Sequence, residues 1–228
     1  MKHQYISIVF FIIIFTTSGC ENNNEKPNNT LVPLSVGNYW AYEQKVYSGE
    51  DHVIEGLTDS LYGEIVGDTT VILDGQSYHS AIWGWFNPPT YNPRPYKWLY
   101  TNGDSGLYIL GAVSPKDTLF KKHLYLKYPA QKEDKWEHAN LVYDHYTQTF
   151  LFADTLTYTC IATNQDFETP IGTFSCYVYH YQRKLAEDIS GISDFYLYYA
   201  PGIGRVGAEL KDRGILKYRQ VLFNYHLN

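Results

Sequence analysis

Methionine occurs once in the 228 residues and cysteine three times, and Lys and Arg together number 18 against 24 Asp and Glu. The shortage of cations, with a formal net charge of −6 and no basic cluster, argues against nucleic acid as a partner. From Leu34 onward there is no segment of 11 or more residues with clear helical periodicity, so a helical bundle is excluded. Catalytic motifs are lacking too. There is no nucleophile elbow, no H-E-x-x-H, no Walker loop and no paired Cys-x-x-Cys, and the scattered acids offer no recognisable glycosidase pair. The reading is therefore of a protein that is not an enzyme and needs no cofactor or metal.

A long apolar run is absent as well. The longest, Ile6 to Phe15, follows the cation Lys2 and falls well short of the roughly 20 residues that span a bilayer as a helix. It matches the apolar region of a secretory signal, with small Thr17, Ser18 and Gly19 before Cys20. Cleavage before Cys20 leaves that thiol free to take a diacylglycerol, the pattern of a bacterial lipobox, here with Thr17 where Leu is usual. Two or three acyl chains anchor a protein stably, since each buried methylene contributes about 0.8 kcal/mol. The following ENNNEKPNNT has nothing to pack and reads as a solvated tether. The expected organisation is a signal peptide over 1–19, a lipidated cysteine and disordered tether over 20–33, and one domain over 34–228. The address is the bacterial cell envelope, anchored by lipid to the outer membrane, on its periplasmic face or the cell surface.

What is plentiful is aromatic. Phe, Trp and Tyr make up 17% of the chain, with 23 Tyr, a mixture that suits pleated sheet because rings pack across strands. Short runs rich in Val, Ile, Thr, Tyr and Trp recur between Gly, Pro, Asn and Asp, among them NYWAYEQKVY, SLYGEIVG, TTVIL, QSYHSAIWGWF and ILKYRQVLFNY. LDGQ and TNGDSG read as tight turns. The fold class is all-β: a single antiparallel β-barrel or a strongly curved half-barrel sheet. QRKLAEDISG is the one candidate for a helical turn outside the signal.

With Cys20 set aside, Cys160 and Cys176 remain, in TLTYTCIATN and TFSCYVYHYQ on either side of QDFETPIG. A hairpin turning near position 168 sets them nearly opposite, and an oxidising compartment favours a disulfide; two buried unpaired thiols are the alternative. WGWFNPPTYNPRPYKWLY breaks the rhythm with Pro88, Pro89, Pro93 and Pro95 among Trp83, Trp85, Phe86, Tyr91, Tyr96 and Trp98. It reads as a cap completing the core or as a platform whose rings hold an apolar or glycan ligand.

Of four weaker features, three resolve blandly. Gly202, Gly204 and Gly207 have dinucleotide-loop spacing, but no helix and no later acid at the needed distance follow, so PGIGRVG is a turn between strands. His138, Asp144 and His145 are read as surface groups, because adjacent strand residues face opposite ways. His180 is read as a hydrogen-bonded core histidine. The triplets at Asp59, Asp117 and Asp154 have the Asp-Ser/Thr-apolar form of an O-glycan acceptor on exported proteins of the Bacteroidota.

PLSVGNYWAY, ETPIGTFSCYVY and YYAPGIGRVG, in that order and spacing, resemble segments of a broad group of Bacteroidota-type envelope lipoproteins with a β-barrel-like domain. The resemblance runs from about Leu34 to the C-terminus and implies a shared fold with no catalytic residue to carry over. Some similar envelope proteins are half-open barrels that hold acyl chains, commonly with a helix packed inside or across them. The expectation is an anchored protein binding an apolar or glycan ligand or an envelope protein partner; the rival is an accessory lipoprotein with no small-molecule site.

Overall fold

A computed structural model describes residues 30–48, 52–54, 59–87, 92–184 and 192–228. Cys20, the signal and most of the tether, Tyr91, Pro88, Pro89 and most of QRKLAEDISG lie outside these residues.

Every regular element described is a strand: β1 (Tyr39–Val46), β2 (Asp59–Leu73), β3 (Gln76–Asn87), β4 (Asn92–Pro93), β5 (Lys97–Gly103), β6 (Gly106–Val113), β7 (Thr118–Lys127), β8 (Lys135–Asp144), β9 (Thr149–Thr169), β10 (Gly172–Lys184), β11 (Ile192–Ala200), β12 (Gly204–Asp212) and β13 (Ile215–His226). They form one antiparallel sheet in the order β7-β6-β5-β3-β2-β1-β13-β12-β11-β10-β9-β8, with β4 added to β3. The terminal strands β13 and β1 pair, so the chain's two halves meet in the middle of the sheet. The curl brings β7 and β8 side by side and makes a nearly closed barrel, as the alternating aromatic pattern predicts.

Turn chemistry fits the expectation closely. Asp74 and Gly75 take positive φ between β2 and β3, and Gly202 and Gly204 take φ of 74° and 98° between β11 and β12, which places PGIGRVG between two strands. Other signals mislead. The Gly67-Asp68 step that separates SLYGEIVG from TTVIL lies inside β2, beside a bulge between Ile65 and Gly67.

The core is the barrel interior, filled by rings. Trp40, Tyr42 and Tyr179 are wholly buried, and Trp136, Tyr158 and Tyr181 stack in series, 5.7 and 4.6 Å between centroids. One end is stoppered by the chain before β1. Leu31 and Val32 are 1% and 2% exposed, although the sequence leaves them in the tether. The backbone there is bound as tightly as the side chains: Gly202 N donates to Thr30 O at 2.9 Å, and Asn102 Nδ2 to Val32 O at 3.0 Å. The packed domain therefore includes residues ahead of Leu34.

The expected disulfide does not form. The β9–β10 turn falls at Pro170 and Ile171, later than position 168, so Cys176 pairs with Gln165 and Cys160 with Tyr179. Alternation along β10 then sets Cys176 on the face of Val178 and Cys160 on that of Tyr179. Both are free and fully buried, and burial pushes the Cys160 thiol up to about 11 and that of Cys176 up to about 12. Neither thiol forms thiolate near neutral pH, and thiolate is what alkylating reagents attack. Iodoacetamide at pH 8 is therefore expected to spare both in the native protein and modify both in urea without reductant. A denatured protein that resists labelling until reduced would show the two to be joined.

Candidate functional site

The WGW triplet builds one wall of a cavity. Trp83 and Trp85 are two apart in β3 and so share its inner face, whereas Phe86 points to the outer face. Gly63, opposite Trp85 on β2, makes room for them: a Cβ there would stand 2.7 Å from the Trp83 ring and 2.9 Å from that of Trp85. Trp83 stacks on Trp40 at 4.7 Å and 16°, which locks its rotamer, and meets the edge of Tyr100 at 5.8 Å.

Not every ring of the predicted platform belongs to this wall. Trp98 pairs with Trp83 in the ladder but packs on Phe150 at 5.5 Å, and Tyr96 lies against Tyr143 at 4.7 Å. These two complete a second aromatic cluster, with Arg94 Nη1 donating to the Tyr96 hydroxyl at 2.9 Å. The ligand-binding set proposed from sequence thus divides: Trp83 and Trp85 line the cavity, Tyr96 and Trp98 fill core, and Phe86 faces outward.

Val32 and Leu34 roof the cavity, and Tyr125, Tyr199 and Arg205 complete it. Its envelope is about 380 Å³ including the mouth, and only a small part of that is free enclosed space. That room suits a few waters or one small polar group rather than an acyl chain.

Arg205, which the sequence reading did not single out, is the unusual member. It pairs with Tyr199 at a β-bulge of the β11–β12 ladder, and its guanidinium carbon lies 4.9 Å from the Tyr42 ring centroid and 5.0 Å from that of Trp85. It is half-buried and borders the cavity. No carboxylate lies within ion-pairing distance of it among the described residues.

Burial works against the Arg205 charge and the phenols of Tyr42, Tyr199 and Tyr125 work for it, with a net upward shift. Burial also pushes Tyr42 up to about 12 and holds Tyr199 well above its ordinary value, so these two phenols are neutral at physiological pH. They supply dipoles and ring faces, but no counter-charge. Cation–π contact offsets on the order of 1–2 kcal/mol per ring, against a cost of several kcal/mol for burying an ion.

The remaining candidates scatter. His138 is 6% exposed, so it is not the surface group expected; it lies between β7 and β9, its ring 5.1 Å from Tyr125 and 5.3 Å from Tyr158. Asp144 accepts from Tyr146 N at 2.8 Å and so caps the β8–β9 turn, and His145 is exposed. The three form no metal site. His180 is only partly buried, on the outer face, with Nε2 2.8 Å from Asp194 Oδ1.

This barrel has a solved counterpart. The crystal structure of a "putative lipoprotein" from Parabacteroides distasonis ATCC 8503 matches 87% of this chain and 99% of its own, with a TM-score of 0.51 and 16% identity. A "putative exported protein with YmcC-like fold" from Bacteroides fragilis NCTC 9343 matches 86% of this chain and 98% of its own, with a TM-score of 0.47 and 13% identity. Neither description names an activity. No family model matches the chain, and no curated protein does. The fold implied by the sequence resemblance is the one observed.

Proposed function

We propose that this is a non-enzymatic, lipid-anchored protein of the bacterial envelope that holds a small ligand in the cavity beneath its N-terminal segment. The observation that carries the reading is the cavity itself, whose Trp83 and Trp85 wall is held rigid by stacking and by the absent side chain of Gly63. Rings and one cation are chemistry for holding a molecule rather than for converting it. Anchorage through Cys20 is supported by the lipobox pattern and agrees with the description of the Parabacteroides neighbour. The roof residues Val32 and Leu34 come directly after the tether, so the mouth of the site would face the side from which the anchor runs.

The small free volume favours a second reading, an accessory lipoprotein that acts through its surface on an envelope partner. Native mass spectrometry of the full lipidated chain, released from mild detergent micelles, separates the two. A reproducible adduct lost on denaturation is expected, and Trp85→Ala, which removes a half-buried wall residue, is expected to lower its occupancy at least fivefold. A bare lipoprotein mass in repeated preparations would leave the accessory reading standing.

A further inference from the structure

We propose that the cavity is an oxyanion site: Arg205 takes the carboxylate or phosphate of a ligand whose remaining body is apolar or aromatic and lies against Trp83 and Trp85. This rests on the cavity being a ligand site at all, and adds which chemistry it selects.

The inference begins from a mismatch. A guanidinium carries five N–H donors in a planar fork that matches an oxyanion, and Arg205 has ring faces on two sides and no carboxylate from the described residues to receive them. Nearby hydroxyls take up little of the fork: Tyr42 Oη donates to Arg205 O at 3.0 Å and accepts one hydrogen bond from the Arg205 side chain, and Tyr199 shares a hydrogen bond with Tyr125, so the other guanidinium N–H groups are not received by these phenols. The cavity is the direction left open to the fork. An entering anion meets a cation that aromatic walls shield from water, where charge-assisted hydrogen bonds are stronger than in solvent.

Size points the same way. Room for a few waters accommodates one oxyanion group, and the ligand's body then occupies the mouth between the Trp85 ring and Leu34. The bulge at Tyr199 brings Arg205 to this position: the ladder slips one residue between Tyr198 opposite Gly207 and Tyr199 opposite Arg205, which turns residue 205 onto the inner face shared with Tyr199.

The test uses the full lipoprotein in detergent micelles, with tryptophan fluorescence as readout, because Trp83 and Trp85 form the wall. Three probes are titrated: phenylacetate, its neutral isostere phenylacetamide, and inorganic phosphate. Phenylacetate is expected to bind at least tenfold more tightly than phenylacetamide and phosphate, with the preference abolished in Arg205→Gln and partly kept in Arg205→Lys. Circular dichroism checks that both variants fold, and if Arg205→Gln does not, the comparison of probes on the native protein and on Arg205→Lys decides.

Equal binding of phenylacetate and phenylacetamide would overturn the oxyanion assignment while leaving the cavity a ligand site. Phosphate as tight as phenylacetate would overturn the requirement for an apolar body. Binding of neither aryl probe, combined with a bare native mass, would remove both the inference and the reading it rests on.

Discussion

Trp40→Ala will destabilise the barrel by about 3–5 kcal/mol, among the largest losses available to a single side chain here. Trp40 is wholly buried at the stoppered end, with its ring flat against Trp83. Its Nε1 donates to Ile203 O at 2.6 Å, tying β1 to the β11–β12 turn across 163 residues of sequence. The close fit continues at Gly204, where a Cβ would stand 3.3 Å from that same nitrogen. Alanine loses the transfer free energy of an indole, opens a cavity that rigid ladders cannot collapse, and leaves the half-buried Ile203 carbonyl without this donor. For a domain of this size each kcal/mol lowers the melting temperature by roughly 2–4 °C, so a fall of about 10 °C is expected. Trp40→Phe restores most of the ring without the hydrogen bond and should recover more than half of the loss. Urea unfolding followed by near-ultraviolet circular dichroism measures both, and an alanine midpoint equivalent to less than about 1 kcal/mol would show that Trp40 does not hold the stopper.

How much of this could be read in advance depends on how local each feature is. The strand character of NYWAYEQKVY or QSYHSAIWGWF is a period-two pattern within ten residues, and so was legible. The i, i+2 relation of Trp83 and Trp85 was equally open to reading, and the same rule assigns Phe86 to the other face. What escaped depends on registers and bulges. Gly67-Asp68 resembles a turn but sits in a continuous β2. The disulfide was lost to a shift of the β9–β10 turn by two to three residues, because a pairing inferred from a midpoint inherits every error in the turn. Leu31 and Val32 are too few to make a pattern beside Pro33, and their burial follows from a barrel mouth built by distant strands. Arg205 had one local signal, a lone cation in the otherwise apolar PGIGRVGA. Its meaning came only when Tyr42, Trp85 and Tyr199 converged on it.

The seam of the barrel yields the other large effect. Between β7 and β8 no ladder forms, and side chains span the gap: Trp136 Nε1 donates to Tyr125 O at 3.0 Å, and the rings of His123 and His138 stand 4.8 Å apart. The groups facing His138 are His123, Tyr125 and the backbone of Leu124 from β7 and Tyr158 from β9, with Lys121 beyond His123, so among the described residues no acid is present to welcome a proton. His123 Nε2 and His138 Nδ1 are both buried without a partner. Burial, with the neighbouring His123, lowers His138 from 6.5 to about 4, and burial also lowers His123.

A histidine held neutral in the fold but protonated near 6.5 in the unfolded chain makes its full contribution above that pH. Stability then falls as pH drops, and the contribution is gone at about 4. The displacement of His138 alone corresponds to about 3 kcal/mol over this window, and His123 adds in the same direction. Asp134, Asp144 and Asp194 are held below their ordinary value by hydrogen bonds, so their loss comes at lower pH and does not mask the histidine step. Urea midpoints taken from pH 7.5 to 4 should trace this decline, and His138→Gln, which keeps an amide donor but cannot titrate, should flatten most of it. A His138 ring resonance titrating near 6.5 in the folded protein would sink the account. A proton entering there charges the one junction between neighbouring strands of the wall that no backbone ladder holds among the described residues, so the seam is where acid should first open the barrel.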